Sequence, residues 1–97
     1  MLVLKRRAGQ KVQIATADRV VIVEVKRVVD NRWVWIAVNG HLQGPMQIDD
    51  RTHIDIGGGV MLQVVDIRAR LAAIGFIANK SVTIDRKEVA DKKRGAA

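Results

Sequence analysis

Residues 20–38 read VVIVEVKRVVDNRWVWIAV, two apolar runs rich in β-branched and aromatic residues that are separated by Asp30 and Asn31. Such side chains favour strands, and Asp and Asn tolerate the backbone of a tight turn. The segment therefore predicts a β-hairpin with strands at Val20–Val28 and Arg32–Val38. Similar runs recur along the chain, while helical periodicity is nearly absent before residue 85, so the predicted fold class is all-β with a short C-terminal helix.

The remaining elements follow from the same reasoning. Glycine and asparagine punctuate the apolar runs and predict turns between them. A helix is predicted from Arg86 to about Arg94, because Asp85 is a suitable N-cap residue and Glu88 occupies the third helical position. The other predicted strands are Leu2–Arg7, Lys11–Ile14, Pro45–Ile48, Thr52–Ile56, Val60–Ile67, Arg70–Ile77 and Ser81–Ile84.

Length and composition restrict the class of protein. The 97 residues predict a single compact domain, 1–97. No apolar run approaches the ~18 residues that span a bilayer, and the first residues do not have the pattern of a signal peptide, so we expect no membrane partner. The absence of cysteine fits a reducing, cytoplasmic environment. The balance of 17 Lys+Arg against 10 Asp+Glu, a net charge of +7, favours a polyanionic partner such as RNA, DNA or an acidic membrane surface.

Three pairs of segments match each other at separations of 42, 40 and 38 residues, which predicts an internal duplication with pseudo-repeats 1–50 and 51–97. The alternative is that alternating β sequences resemble one another without common origin. The matching pairs are Lys11–Ile14 with His53–Ile56, Val20–Val25 with Val60–Val65, and Val34–Gly40 with Ala72–Ala78.

Two stretches, MLVLKRRAGQKVQI at residues 1–14 and IGFIANKSVTIDRKEV at residues 74–89, resemble the carbon storage regulator family (CsrA, also called RsmA). Members of that family are small bacterial proteins that bind GGA motifs in hairpin loops of messenger RNA and regulate translation. The resemblance implies a small β-barrel or sandwich of two intertwined sheets, with two fused copies mimicking the family dimer. It implies single-stranded or hairpin-loop RNA as the partner and no cofactor.

The resemblance is asymmetric between the two pseudo-repeats. The second copy has the family's RNA-contacting arginine, Arg86, whereas the first has Ile48 at that place, followed by Asp49 and Asp50. Because family sites combine the first strand of one protomer with the fifth strand of the other, one composite site per chain is expected. The opposite site, around Ile48, is expected to be dead or reassigned. The predicted RNA-binding residues are Leu4, Lys5, Arg6, Arg7 and Arg86.

Several alternatives stay open at this stage. A monomeric pseudo-dimer is expected, but strand exchange between two chains would give a homodimer. The Lys5–Arg7 cluster also suits an edge strand that is protected against aggregation. A second function class is a protein-interaction module, or a competitor of two-site family members, with residual RNA binding.

Chemistry-bearing side chains are sparse elsewhere. Trp33 and Trp35 share a face of one strand, where packing is a simpler role than stacking on bases. His41 and His53 lack the spacing of metal ligands, so no metal site is expected. No nucleophile with a partnering base is visible, and the protein is not expected to be an enzyme.

Overall fold

Nine β-strands and one helix make up the part of the chain that the computed structural model describes, residues 1–39 and 45–95. Each lies within two residues of a predicted element. Gly40 and His41 lie outside the described residues. The elements are β1 (Leu2–Arg6), β2 (Lys11–Ala15), β3 (Val20–Val29), β4 (Trp33–Val38), β5 (Met46–Ile48), β6 (His53–Asp55), β7 (Met61–Arg68), β8 (Leu71–Ile77), β9 (Thr83–Arg86) and α1 (Lys87–Gly95).

The strands form two antiparallel sheets, which confirms a mostly β fold with a short C-terminal helix. One sheet has the order β5-β4-β3-β2-β9 and the other has the order β1-β8-β7-β6. The first strand of the chain thus pairs with β8, and the last strand pairs with β2. Each sheet takes one outer strand from the other half of the sequence, since β1 joins β6, β7 and β8 while β9 joins β2 to β5. Neither sheet is therefore complete without both halves of the chain.

The two long hairpins, β3–β4 and β7–β8, each contain a register shift at a corresponding place. The shift lies between Val25 and Arg27 in β3 and between Val64 and Asp66 in β7. Val64 follows Val25 by 39 positions, so the separation of 40 that the sequence comparison gave for this strand is wrong by one residue. Side chains alternate between the two faces of a strand, so a shift of one residue exchanges the faces. A separation of 39 aligns the buried residues Val23 and Val25 of β3 with the buried residues Leu62 and Val64 of β7, whereas a separation of 40 aligns them with more exposed residues.

The core is formed by the apolar side chains that alternate along the strands of both sheets. In β4 the buried residues Val34, Ile36 and Val38 alternate with the half-buried Trp33 and Trp35. The largest fully buried side chains are Phe76, Ile14, Ile36, Leu62 and Ile74.

Helix α1 begins directly after β9, and its Ala90 is buried. Asp85 does not act as the predicted N-cap, because it lies in β9 and its carboxylate accepts a hydrogen bond from Lys93 Nζ at 3.1 Å. With nine residues, this helix is too short to cross a membrane, and no other helix occurs in the described part of the chain.

Candidate nucleic-acid interface

Strand β1 presents two chemically different faces. Leu4 and Arg6 point inward and are only 8% and 4% exposed, whereas Lys5 and Arg7 are exposed. This alternation follows from the pleat of the strand. Since β1 lies at the edge of its sheet, one side of its backbone pairs with no strand of the described residues. The strand therefore presents exposed cationic side chains along an edge of the sheet.

Arg6 is the buried charged residue of this region, and its guanidinium has acceptors for Nη1 and Nε. Nη1 donates to Glu88 Oε1 at 2.9 Å and to the Lys11 carbonyl at 3.3 Å, while Nε donates to the Lys5 carbonyl at 2.8 Å. A buried guanidinium needs such partners, because an unpaired charge in the interior is costly. The ion pair fixes β1 to the first turn of α1, which lies 82 residues further along the chain.

Arg86 is the last residue of β9 and is exposed, with its backbone opposite Val12 of β2. It lies close to the Arg6–Glu88 pair. The pKa of Glu88 is lowered, first by the hydrogen bond from Arg6 and, more weakly, by the charges of Arg6 and Arg86. The structure thus brings Arg6 and the Arg86 region together within one chain.

The five predicted contact residues divide into two groups. Lys5, Arg7 and Arg86 are exposed, and none of the three forms an ion pair with another residue of the described ranges. Leu4 and Arg6 offer less than a tenth of their surface to a ligand. Lys5, Arg7 and Arg86 are therefore accessible for direct contact with a polyanion, whereas Leu4 and Arg6 fix the position of β1 against the rest of the protein.

A shallow groove of about 440 Å³ runs from the start of β1 to the β8–β9 connection. Its walls include the exposed apolar side chains of Leu2 and Ile77 and the residues Ala78 and Asn79. An apolar surface beside the edge of a strand suits unstacked bases, whose faces need burial and whose edges need hydrogen bonds. The groove and the exposed cations lie along the same strand.

The other half of the molecule replaces this arrangement with apolar and acidic residues. Ile48 of β5 lies opposite Val34 of β4, as Arg6 lies opposite Ala72 of β8. Ile48 is 2% exposed and belongs to the hydrophobic core. The next residue, Asp49, has a lowered pKa, chiefly because Thr52 donates a hydrogen bond to its carboxylate. Asp49 and Asp50 place negative charge at this edge, next to Arg51, so phosphate is less favoured here than at β1.

Other candidates from the sequence contribute little to the interface. Trp33 and Trp35 are half-buried, as packing residues of β4. His53 is exposed on β6, and His41 lies outside the described residues. Within residues 1–39 and 45–95, no group of three His, Cys, Asp or Glu side chains is arranged to hold a metal ion.

Sequence reasoning missed the role of Glu88 as the counter-charge of Arg6. Glu88 was identified only as a residue that suits the start of a helix. The available signal was the alternation of β1, which directs Arg6 inward and thereby demands a carboxylate from another part of the chain. The sequence does not indicate which of its ten acidic residues supplies it.

Comparisons of this chain with protein-family models, curated proteins and solved structures find no match.

Glu88→Gln is expected to lower the Tm at neutral pH by about 5 °C, because the Arg6 guanidinium keeps its buried place without a counter-charge. The effect depends on pH in a defined direction. A lowered carboxyl pKa stabilises the folded state above the ordinary value of 4.5, and this stabilisation is lost as the pH falls through the folded-state pKa. Thermal unfolding between pH 7 and pH 3 should therefore show a flatter acid limb in the variant.

The matched control is Asp91→Asn, which removes a carboxylate of the same helix that pairs with Lys87 at the surface. Such surface pairs contribute little, so its Tm should stay close to that of the unchanged protein. Equal Tm losses in the two variants would show that Arg6 does not depend on Glu88.

Proposed function

We propose that this protein is a noncatalytic RNA-binding regulator that recognises GGA-type loop motifs in messenger RNA through one composite site per chain. The observation that carries the proposal is the 2.9 Å ion pair between Arg6 and Glu88, which holds the cationic edge of β1 beside Arg86. Two ends of the sequence thereby contribute to one surface. Its net charge of +7 is consistent with a polyanionic ligand.

The fold we propose is that of the carbon storage regulator family, with two fused copies in place of the family dimer. The pairing of β1 with β8 and of β9 with β2 supports this proposal, because each outer strand belongs to the sheet of the other sequence half. A monomeric pseudo-dimer is then the simplest state in solution.

The chemistry of the proposed site follows from its groups. Lys5, Arg7 and Arg86 contact phosphates, since guanidinium and ammonium groups donate several hydrogen bonds to anionic oxygens. Backbone groups along the β1 edge contact base edges, and these contacts provide sequence selectivity. Leu4 and Arg6 hold the strand in place. A protein bound over a translation start would block the ribosome by occlusion.

The test is titration of an RNA hairpin with GGA in its loop, against the same hairpin with a scrambled loop, at about physiological salt. We expect a clear preference for the GGA loop, saturation at one RNA per chain, and a loss of at least tenfold in affinity for Arg86→Gln. The control is Arg51→Gln, which removes one exposed charge beside Asp49, at the edge where phosphate is less favoured. Equal, weak and salt-sensitive binding of both hairpins would overturn the proposal.

One observation favours the second candidate, a protein-interaction module that competes with two-site family members. Val3, Val65 and Ile77 are each more than 40% exposed, and Met1 and Val65 lie over Gly75 of β8. This gives the four-stranded sheet an apolar outer patch. If neither hairpin is preferred, and light scattering shows a complex with a two-site family member, this candidate replaces the regulator.

A further inference from the structure

A second concave surface lies at the end of β1 and contains three arginines. We call it the basic cleft. It has a volume of about 550 Å³ and is lined by Arg7 after β1, Arg27 of β3 and Arg70 in the β7–β8 turn. All three side chains are exposed, and none forms an ion pair with another residue in the described ranges. Asp30 is the one carboxylate among the described residues that line it.

The corresponding cleft in the other half of the molecule, which we call the acidic cleft, is lined by three aspartates, Asp49, Asp50 and Asp66, and by two arginines, Arg32 and Arg51. Asp66 follows Arg27 by 39 positions, the separation that aligns the two hairpins. Asp49 follows Ile48 as Arg7 follows Arg6. Both aspartates line this second cleft, which has a volume of about 430 Å³. Equivalent positions thus carry arginine on one side and aspartate on the other.

The two clefts also differ in whether their charges are engaged. The carboxylate of Asp66 pairs with Arg68 at 3.0 Å, and that of Asp49 accepts a hydrogen bond from Thr52 at 2.8 Å. The arginines of the basic cleft lack such partners among the described residues. Three unneutralised guanidinium groups around one concavity attract an anion with several charged oxygens.

Backbone geometry at Arg70 supports a role for its side chain. Arg70 has a φ of 65°, in the left-handed region where glycine or asparagine is less strained. A charged residue at such a position costs stability, and residues of this kind concentrate at functional sites. The strain is explained if the guanidinium of Arg70 is needed in the cleft.

We propose that the basic cleft binds backbone phosphates of the RNA stem that flanks the recognised loop, an inference that rests on the proposed function. Arg7 directly follows β1 and is two residues from Lys5, which corresponds to about 7 Å of extended chain. A hairpin whose loop occupies the β1 edge can therefore extend its stem phosphates into the cleft. The acidic cleft has no such role, which gives the molecule one RNA-binding side.

The test compares the GGA hairpin with a short single strand that contains the loop sequence alone. For the double variant Arg27→Gln/Arg70→Gln, we expect a loss of about tenfold in hairpin affinity and little change for the single strand. The slope of log affinity against log salt should fall by roughly one to two for the hairpin. The matched control is Arg68→Gln, which removes a charge two residues from Arg70 that pairs with Asp66 and does not line the cleft.

Failure of the cleft and failure of the proposed function give different results. The double variant could show unchanged hairpin affinity and an unchanged salt slope while Arg86→Gln still loses affinity. That result would overturn the proposal that the basic cleft binds phosphates and would leave the proposed function intact. Equal binding of GGA and scrambled hairpins would overturn the proposed function. In that case, a reduced salt slope in the double variant would still support the phosphate site, and an unchanged slope would overturn it.

Discussion

Ile48→Arg is expected to lower the free energy of unfolding by about 3–5 kcal/mol, whereas Arg6→Ile is expected to change it by less than about 1 kcal/mol. The two positions are equivalent in register, one opposite Val34 and the other opposite Ala72, and both are buried. Arg6 is tolerated because Glu88 and two carbonyl oxygens accept its hydrogen bonds. Ile48 is surrounded by the hydrophobic core, where an arginine would be an unpaired charge.

The stabilities of Ile48→Arg and Arg6→Ile are measured by urea unfolding, which is monitored by the fluorescence of Trp33 and Trp35. Arg6→Ile replaces a buried guanidinium with an apolar side chain, and the Glu88 carboxylate that loses its partner is 54% exposed, so water can solvate it. The conservative variant Ile48→Val serves as a control and should cost about 1 kcal/mol. If Ile48→Arg were as stable as the unchanged protein, a group near residue 48 would have to neutralise the introduced charge. The edges formed by β1 and β5 would then not differ in their tolerance of a buried arginine.

RNA binding provides an independent readout for Arg6→Ile. In the proposed function, Arg6 positions β1 through Glu88 while Lys5, Arg7 and Arg86 contact the ligand. Arg6→Ile should therefore weaken hairpin affinity without unfolding the protein, and Arg86→Gln should weaken it more. A loss in Arg6→Ile larger than that in Arg86→Gln would indicate that Arg6 leaves Glu88 and contacts the RNA directly.

The sequence was sufficient to predict the strands because their apolar residues alternate and their boundaries carry turn residues. The two faces of β1 follow from the same alternation. These features depend on local periodicity, which the sequence records directly. The burial of Arg6, one of the predicted RNA-contacting residues, depends instead on how β1 packs against the rest of the chain. The strand register places Ile48 and Arg6 at equivalent positions of the two sheets.

Features that depend on long-range packing could not be predicted in this way. The partner of Arg6 lies 82 residues away, and no local pattern distinguishes Glu88 from the other acidic residues. The separation of β3 and β7 was wrong by one, because apolar runs align equally well at 39 or 40 until the register shift is known. The arginines of the basic cleft come from three segments that are distant in sequence, so no local pattern in the sequence indicates that they line one cleft.

The β7–β8 turn was also difficult to recognise, because Ala69 and Arg70 are not typical turn residues. Both have positive φ angles, 50° and 65°. Two-residue hairpin turns with positive φ at both central positions strongly prefer Asn-Gly. The β3–β4 turn follows that preference more closely, since its positive-φ residues are Asp30 and Asn31. The chain therefore stores backbone strain in the turn that carries an arginine of the basic cleft.

The double variant Ala69→Asn/Arg70→Gly is expected to raise the free energy of unfolding by about 1–2 kcal/mol, because both residues then suit the left-handed backbone. Urea unfolding checks this, with Asn31→Gly as the control. Asn already tolerates its φ of 55°, so the control should gain less than about 0.5 kcal/mol. Equal gains in the two variants would show that Ala69 and Arg70 carry no extra strain.

The same double variant separates stability from function. It removes the guanidinium of Arg70 from the basic cleft, so a more stable protein should bind the stemmed hairpin less tightly. Ala69→Asn alone keeps that guanidinium and should gain part of the stability with no loss of affinity. If Ala69→Asn/Arg70→Gly binds the hairpin as tightly as the unchanged chain, the strain at Arg70 has no function in RNA binding. A loss confined to variants that lack Arg70 would instead show that this turn exchanges stability for a phosphate contact.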